Sequence, residues 1–84
     1  MDIQRVVRDL VTTKRDSGLA SKSLRVVENA SGKLEVAVDA IGCKPGDFVI
    51  TMGGTAARLA LDNPKITTDL TIGGIIDHWS EEDW

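Results

Sequence analysis

The sequence has few of the residues that small domains use to stabilise a thin core or to hold a metal. It contains one cysteine, Cys43, and one histidine, His78, among 84 residues. A single cysteine cannot form a disulfide within the chain, and a zinc site needs several clustered Cys or His ligands. A domain of this length buries only about 60% of the surface that its unfolded chain exposes. The sequence therefore predicts no metal or cofactor, and a protein that gains stability by oligomerisation.

Positive charge and aromatic rings are also scarce. Ten Lys and Arg residues stand against thirteen Asp and Glu residues, and the chain has no tyrosine, one phenylalanine and two tryptophans. A nucleic-acid-binding surface needs a basic patch, and a single-stranded ligand also needs aromatic rings on which its bases stack. The composition therefore predicts no nucleic-acid partner.

Long apolar runs are absent as well. The N-terminal stretch MDIQRVVRDL has no uninterrupted apolar segment, so it predicts neither a signal peptide nor a membrane span. A lone free cysteine without an export signal is typical of a reducing cytoplasm. We predict a cytoplasmic protein with no membrane partner. Residues 1–79 form its single domain, and residues 80–84, SEEDW, form a short acidic C-terminal tail that frays apart from its tryptophan.

Two valine-rich runs predict a β-hairpin. They are LRVVENA (24–30) and LEVAVDA (34–40), and the short connection SGK between them contains a glycine. A glycine-containing connection of this length is typical of a hairpin. The second run alternates strictly, so its side chains lie on two opposite faces. These faces are Leu34, Val36 and Val38 on one side and Glu35, Ala37 and Asp39 on the other.

The next segments predict a turn and two further strands. IGCKPGD (41–47) is a loop in which Pro45-Gly46 is typical of a turn whose second central residue has a positive φ. FVITM (48–52) and LTIGGIIDHW (70–79) are apolar and predict strands. The pair Gly73-Gly74 inside the second indicates a bulge or a close approach of another backbone.

Between those strands, TAARLALD (55–62) predicts a helix of at most two turns. Its alanines and leucines are strong helix formers, Thr55 is a suitable N-terminal cap, and Asn63-Pro64 ends the helix. Many short strands with one helix before the last strand indicate a small Greek-key barrel. We predict an all-β, OB-like five-stranded Greek-key barrel with one short helix.

The N-terminal segment gives conflicting signals. Its apolar residues have the i, i+3, i+4, i+7, i+8 spacing of an amphipathic helix, whereas its β-branched content favours a strand. These apolar residues are Ile3, Val6, Val7, Leu10 and Val11. From the spacing of its apolar residues alone, we predict that this segment is a helix.

The stretch TMGGTAARLALD (51–62) raises the question of a phosphate-binding loop. A Walker loop needs a lysine after its last glycine, and none follows here. A dinucleotide fingerprint needs three spaced glycines in a βαβ unit, which is also missing. A helix N-terminus can still hold an anion, so an anion-binding enzyme subunit stays an alternative. The preferred interpretation is a tight strand-to-helix turn.

The sequence predicts no catalytic residue. Asp39 and Asp77 could form a pair of carboxylates for acid–base chemistry, but no nucleophile accompanies them. His78 and Cys43 lack partners that would make them a base or a nucleophile. We predict a protein that is not an enzyme.

Three motifs together resemble the pentameric vertex proteins of bacterial microcompartments, above all those of alpha-type carboxysomes. The motifs lie within VAVDAIGCKPGDFVI (36–50), within the GGTAAR step and within TDLTIGGIIDHW (68–79). The matching positions are Asp39, Gly42, Gly46 and Asp47; Gly53, Gly54, Thr55, Ala56, Ala57 and Arg58; and Asp69, Thr71, Ile72, Gly74, Ile75, Ile76 and Asp77. The resemblance covers nearly the whole chain in order. Gly54-Thr55 departs from it where many relatives have serines.

The resemblance implies a β-barrel protomer that assembles as a ring, a homopentamer. This ring would cap the vertices of an icosahedral carboxysome shell, in contact with hexameric shell proteins. It would thereby close the shell and limit leakage of carbon dioxide. The resemblance also implies that the N-terminal segment is a strand. Gly53, Gly54 and Thr55 become candidates for lining an opening on the five-fold axis. Candidates for the interface between protomers are Arg58, Asp39, Asp69 and Trp79. The alternative from a different class is an OB-fold single-stranded nucleic-acid-binding module.

Overall fold

The computed structural model describes residues 1–12, 22–59 and 68–84, and within them five strands and one α-helix. The elements are β1 (Asp2–Leu10), β2 (Ser23–Glu28), β3 (Leu34–Asp39), β4 (Phe48–Gly53), α1 (Gly54–Leu59) and β5 (Leu70–Ile75), followed by a 3-10 turn at Glu81–Asp83. The strands close into a barrel in the order β1-β2-β3-β5-β4. All neighbours are antiparallel except β3 and β5, which are parallel. This architecture confirms the predicted five-stranded all-β barrel.

The predicted hairpin is confirmed. β2 and β3 pair along their full length, from Ser23 opposite Asp39 to Glu28 opposite Leu34. The connection is organised by Asn29, whose side-chain Oδ1 accepts the backbone N–H of Ser31 and of Lys33, each at 3.0 Å. These hydrogen bonds satisfy backbone N–H groups of the turn, which have no partner on a neighbouring strand.

The predicted Pro45-Gly46 turn is also confirmed. The Asp47 backbone N–H donates to the Lys44 carbonyl at 3.1 Å, and Gly46, the second central residue, has a φ of +95°. That φ lies in the left-handed region, which favours glycine because a side chain would clash with the backbone.

The N-terminal segment is a strand, as the family resemblance implied, and not the helix that the apolar spacing indicated. β1 pairs with β4 through its first half and with β2 through its second. The register shifts between Val6 and Arg8, so Val7 is an extra residue in a β-bulge. A bulge exchanges the two faces of a strand. Val6 therefore lies in the interior cluster and Leu10 in the outer one, although an unbroken strand would place both on one face. The apolar residues of β1 for this reason do not alternate with a period of two.

The predicted last strand is too long at its C-terminal end. β5 ends at Ile75, and residues 77–79 form a bend and coil. His78 has a φ of +58°, which turns the chain out of the extended conformation. The predicted bulge inside β5 is present, because Ile50 pairs with Gly74 and Thr51 with Ile72, which leaves Gly73 as the extra residue.

The helix α1 is present and starts one residue earlier than predicted. α1 begins at Gly54, so Thr55 lies inside the first turn rather than before it. Residues 60–62 of the predicted helix and its predicted end at Asn63-Pro64 lie outside the described residues.

Two apolar clusters lie on opposite sides of the barrel wall. The interior cluster consists of Val6, Val27, Ala37, Cys43, Val49 and Ile72, with Leu70 packed against it. On the outer side, Leu24 and Val38 form a second cluster with Leu10. β3 thus directs Ala37 into the barrel and Val38 out of it.

The acidic C-terminal tail contacts the barrel through Trp84 and Glu81. The Trp84 ring meets the Phe48 ring edge to face, with centroids 5.2 Å apart. Arg5 lies 5.8 Å from the centre of the Phe48 ring and donates to Glu81 at 3.2 Å. Arg5 also donates through Nε to Glu28 at 2.8 Å, so one guanidinium connects β1, β2 and the tail.

Candidate functional site

The corner between β4 and α1 carries the residues predicted to line an axial opening. Gly53 ends β4, Gly54 begins α1, and both are exposed. Gly54 has a φ of +60°, a conformation that lets the chain turn sharply from strand to helix. The side chains of Thr55 and Arg58 lie outside the described residues, so their predicted roles stay predictions.

This corner is bound to the start of β5. The Gly54 backbone N–H donates to the Asp69 carbonyl at 3.0 Å, and a Cβ at Gly53 would lie 3.5 Å from the same oxygen. The Thr71 hydroxyl donates to the Ala57 carbonyl at 2.7 Å and fastens the helix to β5. Because Asp69 already accepts the Gly54 N–H, that donor cannot turn to a phosphate without breaking the corner. The geometry favours a structural turn over an anion cradle.

Asp39 lies inside the protomer rather than on its surface. Its side chain is 1% exposed and forms an ion pair with Arg25 at 3.1 Å. Its two carboxylate oxygens also accept the backbone N–H groups of Ile41, Gly42 and Cys43 at 2.7–2.9 Å. The interface role predicted for Asp39 stays a prediction, but the protomer itself already uses this carboxylate fully.

The environment of Asp39 determines its protonation. Burial alone would raise the pKa of the carboxyl, but the N–H groups of Ile41, Gly42 and Cys43 outweigh it and lower the pKa below its ordinary value. For Cys43, burial together with the nearby Asp39 carboxylate raises the pKa of the thiol to about 12. A buried thiol that stays protonated is a poor nucleophile, and Cys43 lies in the interior apolar cluster.

The other two interface candidates have different surroundings. Asp69 is exposed next to the β4–α1 corner. Trp79 is half-buried, and its indole Nε1 is buried without a hydrogen-bond acceptor in the described part of the chain. Trp79 follows His78, whose left-handed backbone sets the direction in which the chain leaves β5.

Sequence reasoning missed the polar groups inside the barrel. Gln4 and Thr51 are fully buried, and the Thr51 hydroxyl donates to Gln4 Oε1 at 2.6 Å. Arg25 links Asp39 to the exposed Asp9, which lies 3.0 Å away. The alternation of β2 offered a signal, because Arg25 and Val27 fall on the same face and Val27 is in the core.

Within residues 1–12, 22–59 and 68–84, no three His, Cys, Asp or Glu side chains come together in a way that could hold a metal ion. Across the same residues, no helix has the length and apolar character needed to cross a membrane.

Comparison with known proteins gives one consistent result. The chain is 53% identical over 79 residues to the carboxysome shell vertex protein CsoS4B of Halothiobacillus neapolitanus, covering 94% of this chain and 98% of that one. It is 50% identical over 82 residues to the carboxysome shell vertex protein CsoS4A of Prochlorococcus marinus subsp. pastoris, covering 98% and 92%. These relatives are named as shell proteins, which confirms the prediction of a non-enzymatic protein and gives no support to the nucleic-acid-binding alternative.

Solved structures agree with the sequence relatives. The structure of CsoS4B from Halothiobacillus neapolitanus has a TM-score of 0.87 at 52% identity and covers 92% of this chain and 99% of that one. GrpN, a pentameric microcompartment shell protein from Rhodospirillum rubrum, has a TM-score of 0.80 at 27% identity and covers 95% and 98%. The profile of the family described as ethanolamine utilisation protein EutN/carboxysome matches residues 1–77, and the chain belongs to this family.

Proposed function

We propose that this chain forms a homopentamer that caps the vertices of a carboxysome shell in the cytoplasm, where it contacts hexameric shell proteins. The observation that carries the proposal is the match, along almost the full length of both chains, to carboxysome shell vertex proteins at about 50% identity. The pentameric state is supported by GrpN, which is named as pentameric and has the same fold.

The proposed function is geometric. A flat layer of hexagonal units closes into a polyhedron only where units with five-fold symmetry replace units with six-fold symmetry. A ring of five barrels supplies such a unit, and an unfilled vertex would leave a hole through which carbon dioxide escapes. The protein therefore acts by filling a position, and it needs no cofactor and no reaction.

We further propose that the β4–α1 corner faces the five-fold axis. Gly53 and Gly54 are exposed, carry no side chains and lie at a sharp turn, so five copies can approach closely around a narrow opening. Thr55 is the next residue and joins this lining. Arg58, Asp69 and Trp79 are assigned to the interface between protomers, where the buried Trp79 N–H would find an acceptor.

Native mass spectrometry of the purified chain tests the oligomeric state. We expect a species with the mass of five protomers, and a stable monomer at micromolar concentration would overturn the proposal. Co-expression with hexameric carboxysome shell proteins tests the vertex assignment. Closed particles should form only when this chain is present, and closed particles in its absence would contradict the role.

Gly53→Trp tests the axial position better than Gly54→Trp does. Gly54 has a positive φ, so any side chain there also strains the backbone, whereas a Cβ at Gly53 meets the Asp69 carbonyl at an ordinary 3.5 Å. We expect Gly53→Trp to block the opening or to prevent ring formation. Ser31→Trp, on the hairpin loop, serves as a control for adding an exposed indole, because Ser31 is exposed and does not have a positive φ. An unchanged pentamer with an unchanged axial opening in Gly53→Trp would contradict the assignment.

A further inference from the structure

The outer face of β3 is covered at one end and bare at the other. Ala37 belongs to the interior cluster, so Leu34, Val36 and Val38 point out of the barrel. Val38 is only 2% exposed and belongs to the outer cluster. Val36 is 49% exposed and Leu34 is 51% exposed. The outward-facing apolar side chains of β3 are therefore buried at Val38 but half exposed at Val36 and Leu34.

In the described part of the chain, the backbone at the bare end has a neighbouring strand on one side only. β3 pairs with β2 over all six of its residues but with β5 only at Val38 and Asp39. In the described part of the chain, residues 34–37 therefore face no strand on the β5 side. Open strand edges next to apolar side chains favour pairing with another chain, and proteins normally blunt or cover them.

A groove of about 470 Å³ runs along this edge. Its lining consists of Lys33, Glu35, Val36, Asp69 and Leu70. At its rim, Lys33 Nζ lies 3.9 Å from Glu35 Oε1, and the two side chains form a weak ion pair. The groove thus combines two apolar side chains, three charged ones and a strand edge that has no partner in the described part of the chain, a mixture typical of a protein-binding surface.

The position of the groove indicates its occupant. Asp69 lines the groove, and its carbonyl accepts the N–H of Gly54, so the groove is continuous with the β4–α1 corner proposed to face the five-fold axis. A ring with heterologous contacts needs two different surfaces on each protomer. Neighbouring protomers approach each other most closely beside the axis, and there this groove is the surface that adjoins the corner.

Resting on the pentamer proposed above, we propose that the adjacent copy of this chain occupies the groove, packs against Leu34 and Val36 and covers the open edge of β3. The bare end of β3 is then completed by assembly. The same contact would explain why a chain with a thin core keeps Leu34 and Val36 half exposed.

Val36→Glu tests this inference, with Val11→Glu as the matched control. Val11 is 87% exposed, follows the C-terminal end of β1 and does not line the groove, so the control adds the same charge at an exposed valine outside it. We expect native mass spectrometry to show a pentamer for the wild type and for Val11→Glu. Val36→Glu should remain folded by circular dichroism and should assemble about tenfold or more weakly. Leu34→Glu should repeat this result.

Hydrogen exchange of the wild type supplies a readout that needs no variant. We expect the amides of residues 34–37 to be protected at high protein concentration and to lose that protection on dilution to the monomer. If the wild type is a pentamer, but Val36→Glu assembles equally well and the amides of residues 34–37 exchange alike in both states, the groove assignment is wrong and the vertex proposal stands. A wild type that is monomeric at every concentration would overturn the vertex proposal and this inference together.

Discussion

The two ends of β3 show the difference between a surface that the protomer completes and one that it leaves open. At the Asp39 end, the carboxylate is satisfied by three backbone N–H groups and by Arg25, and Val38 is covered on the outside. At the Leu34 end, the side chains are half exposed and one backbone edge is unpaired within the described residues. Both ends belong to one strand of six residues.

This contrast has a physical cause in the barrel closure. Parallel strands β3 and β5 meet over two residue pairs only, whereas the antiparallel pair β2–β3 extends over six. The barrel thus closes firmly near Asp39 and separates towards Leu34. Changes at the first end should affect folding, and changes at the second should affect assembly.

Asp39→Ala is expected to have the largest effect on folding. It removes the acceptor of three N–H groups and leaves Arg25, a largely buried cation, without its inner partner. Breaking a buried pair in this way costs about 3–5 kcal/mol. Urea unfolding at a fixed protomer concentration measures the change in the free energy of unfolding. Asp9→Ala removes the exposed partner of the same Arg25 and should cost less than about 1 kcal/mol, and equal losses would contradict the account.

Val38→Ala and Val36→Ala make the comparison along a single face. Val38 is buried in the outer cluster, so its truncation should lower the free energy of unfolding by about 2 kcal/mol. Val36 is half exposed, and its truncation should change the stability of the separated protomer by less than about 0.5 kcal/mol. The two variants should be compared by chemical denaturation below the concentration at which the ring forms. A larger loss for Val36→Ala would reverse the assignment of the two ends.

Much of this fold could be predicted from local sequence patterns. The hairpin, the Pro45-Gly46 turn and the bulge at Gly73 each depend on backbone preferences within a few residues of chain, and all three are present. The apolar spacing of β1 predicts a helix incorrectly for a non-local reason. The bulge at Val7 belongs to the pairing of β1 with β2, which the periodicity of β1 alone does not contain.

The Asp39 site lay beyond sequence reasoning because it joins distant parts of the chain. Arg25 and Asp39 meet only when β2 and β3 pair, and the loop that follows β3 must fold back to present its N–H groups. The motif containing Asp39 predicts a role between protomers, which stays a prediction, whereas the contacts of its carboxylate within the protomer depend on the pairing of distant segments. Position within a family motif indicated that the residue matters, while burial decides which contacts it makes.

Acid should weaken the closed end of β3 selectively. The pKa of Asp39 is lower in the folded chain than in the unfolded chain, so its contribution to stability is complete above the unfolded value of about 3.9 and is lost as the pH falls through the folded value. We expect Asp39→Asn to be less stable than the wild type at pH 7, and the difference to shrink towards pH 2. Thermal unfolding of both proteins across this range is the measurement. A constant difference would show that the charge of Asp39 does not contribute.

The smallest expected effect is a difference in thiol reactivity between the two ends of β3. Cys43 is buried beside Asp39, and the raised pKa of its thiol keeps it protonated at neutral pH, so alkylation by iodoacetamide should be very slow until urea unfolds the chain. A thiol introduced as Val36→Cys occupies a half-exposed position and should react readily in the dilute protomer. Mass spectrometry of the Val36→Cys/Cys43→Ser variant against the wild type measures the two rates separately. Rapid native alkylation of Cys43 would mean that the closed end opens on its own, because a buried thiol reacts only through such openings.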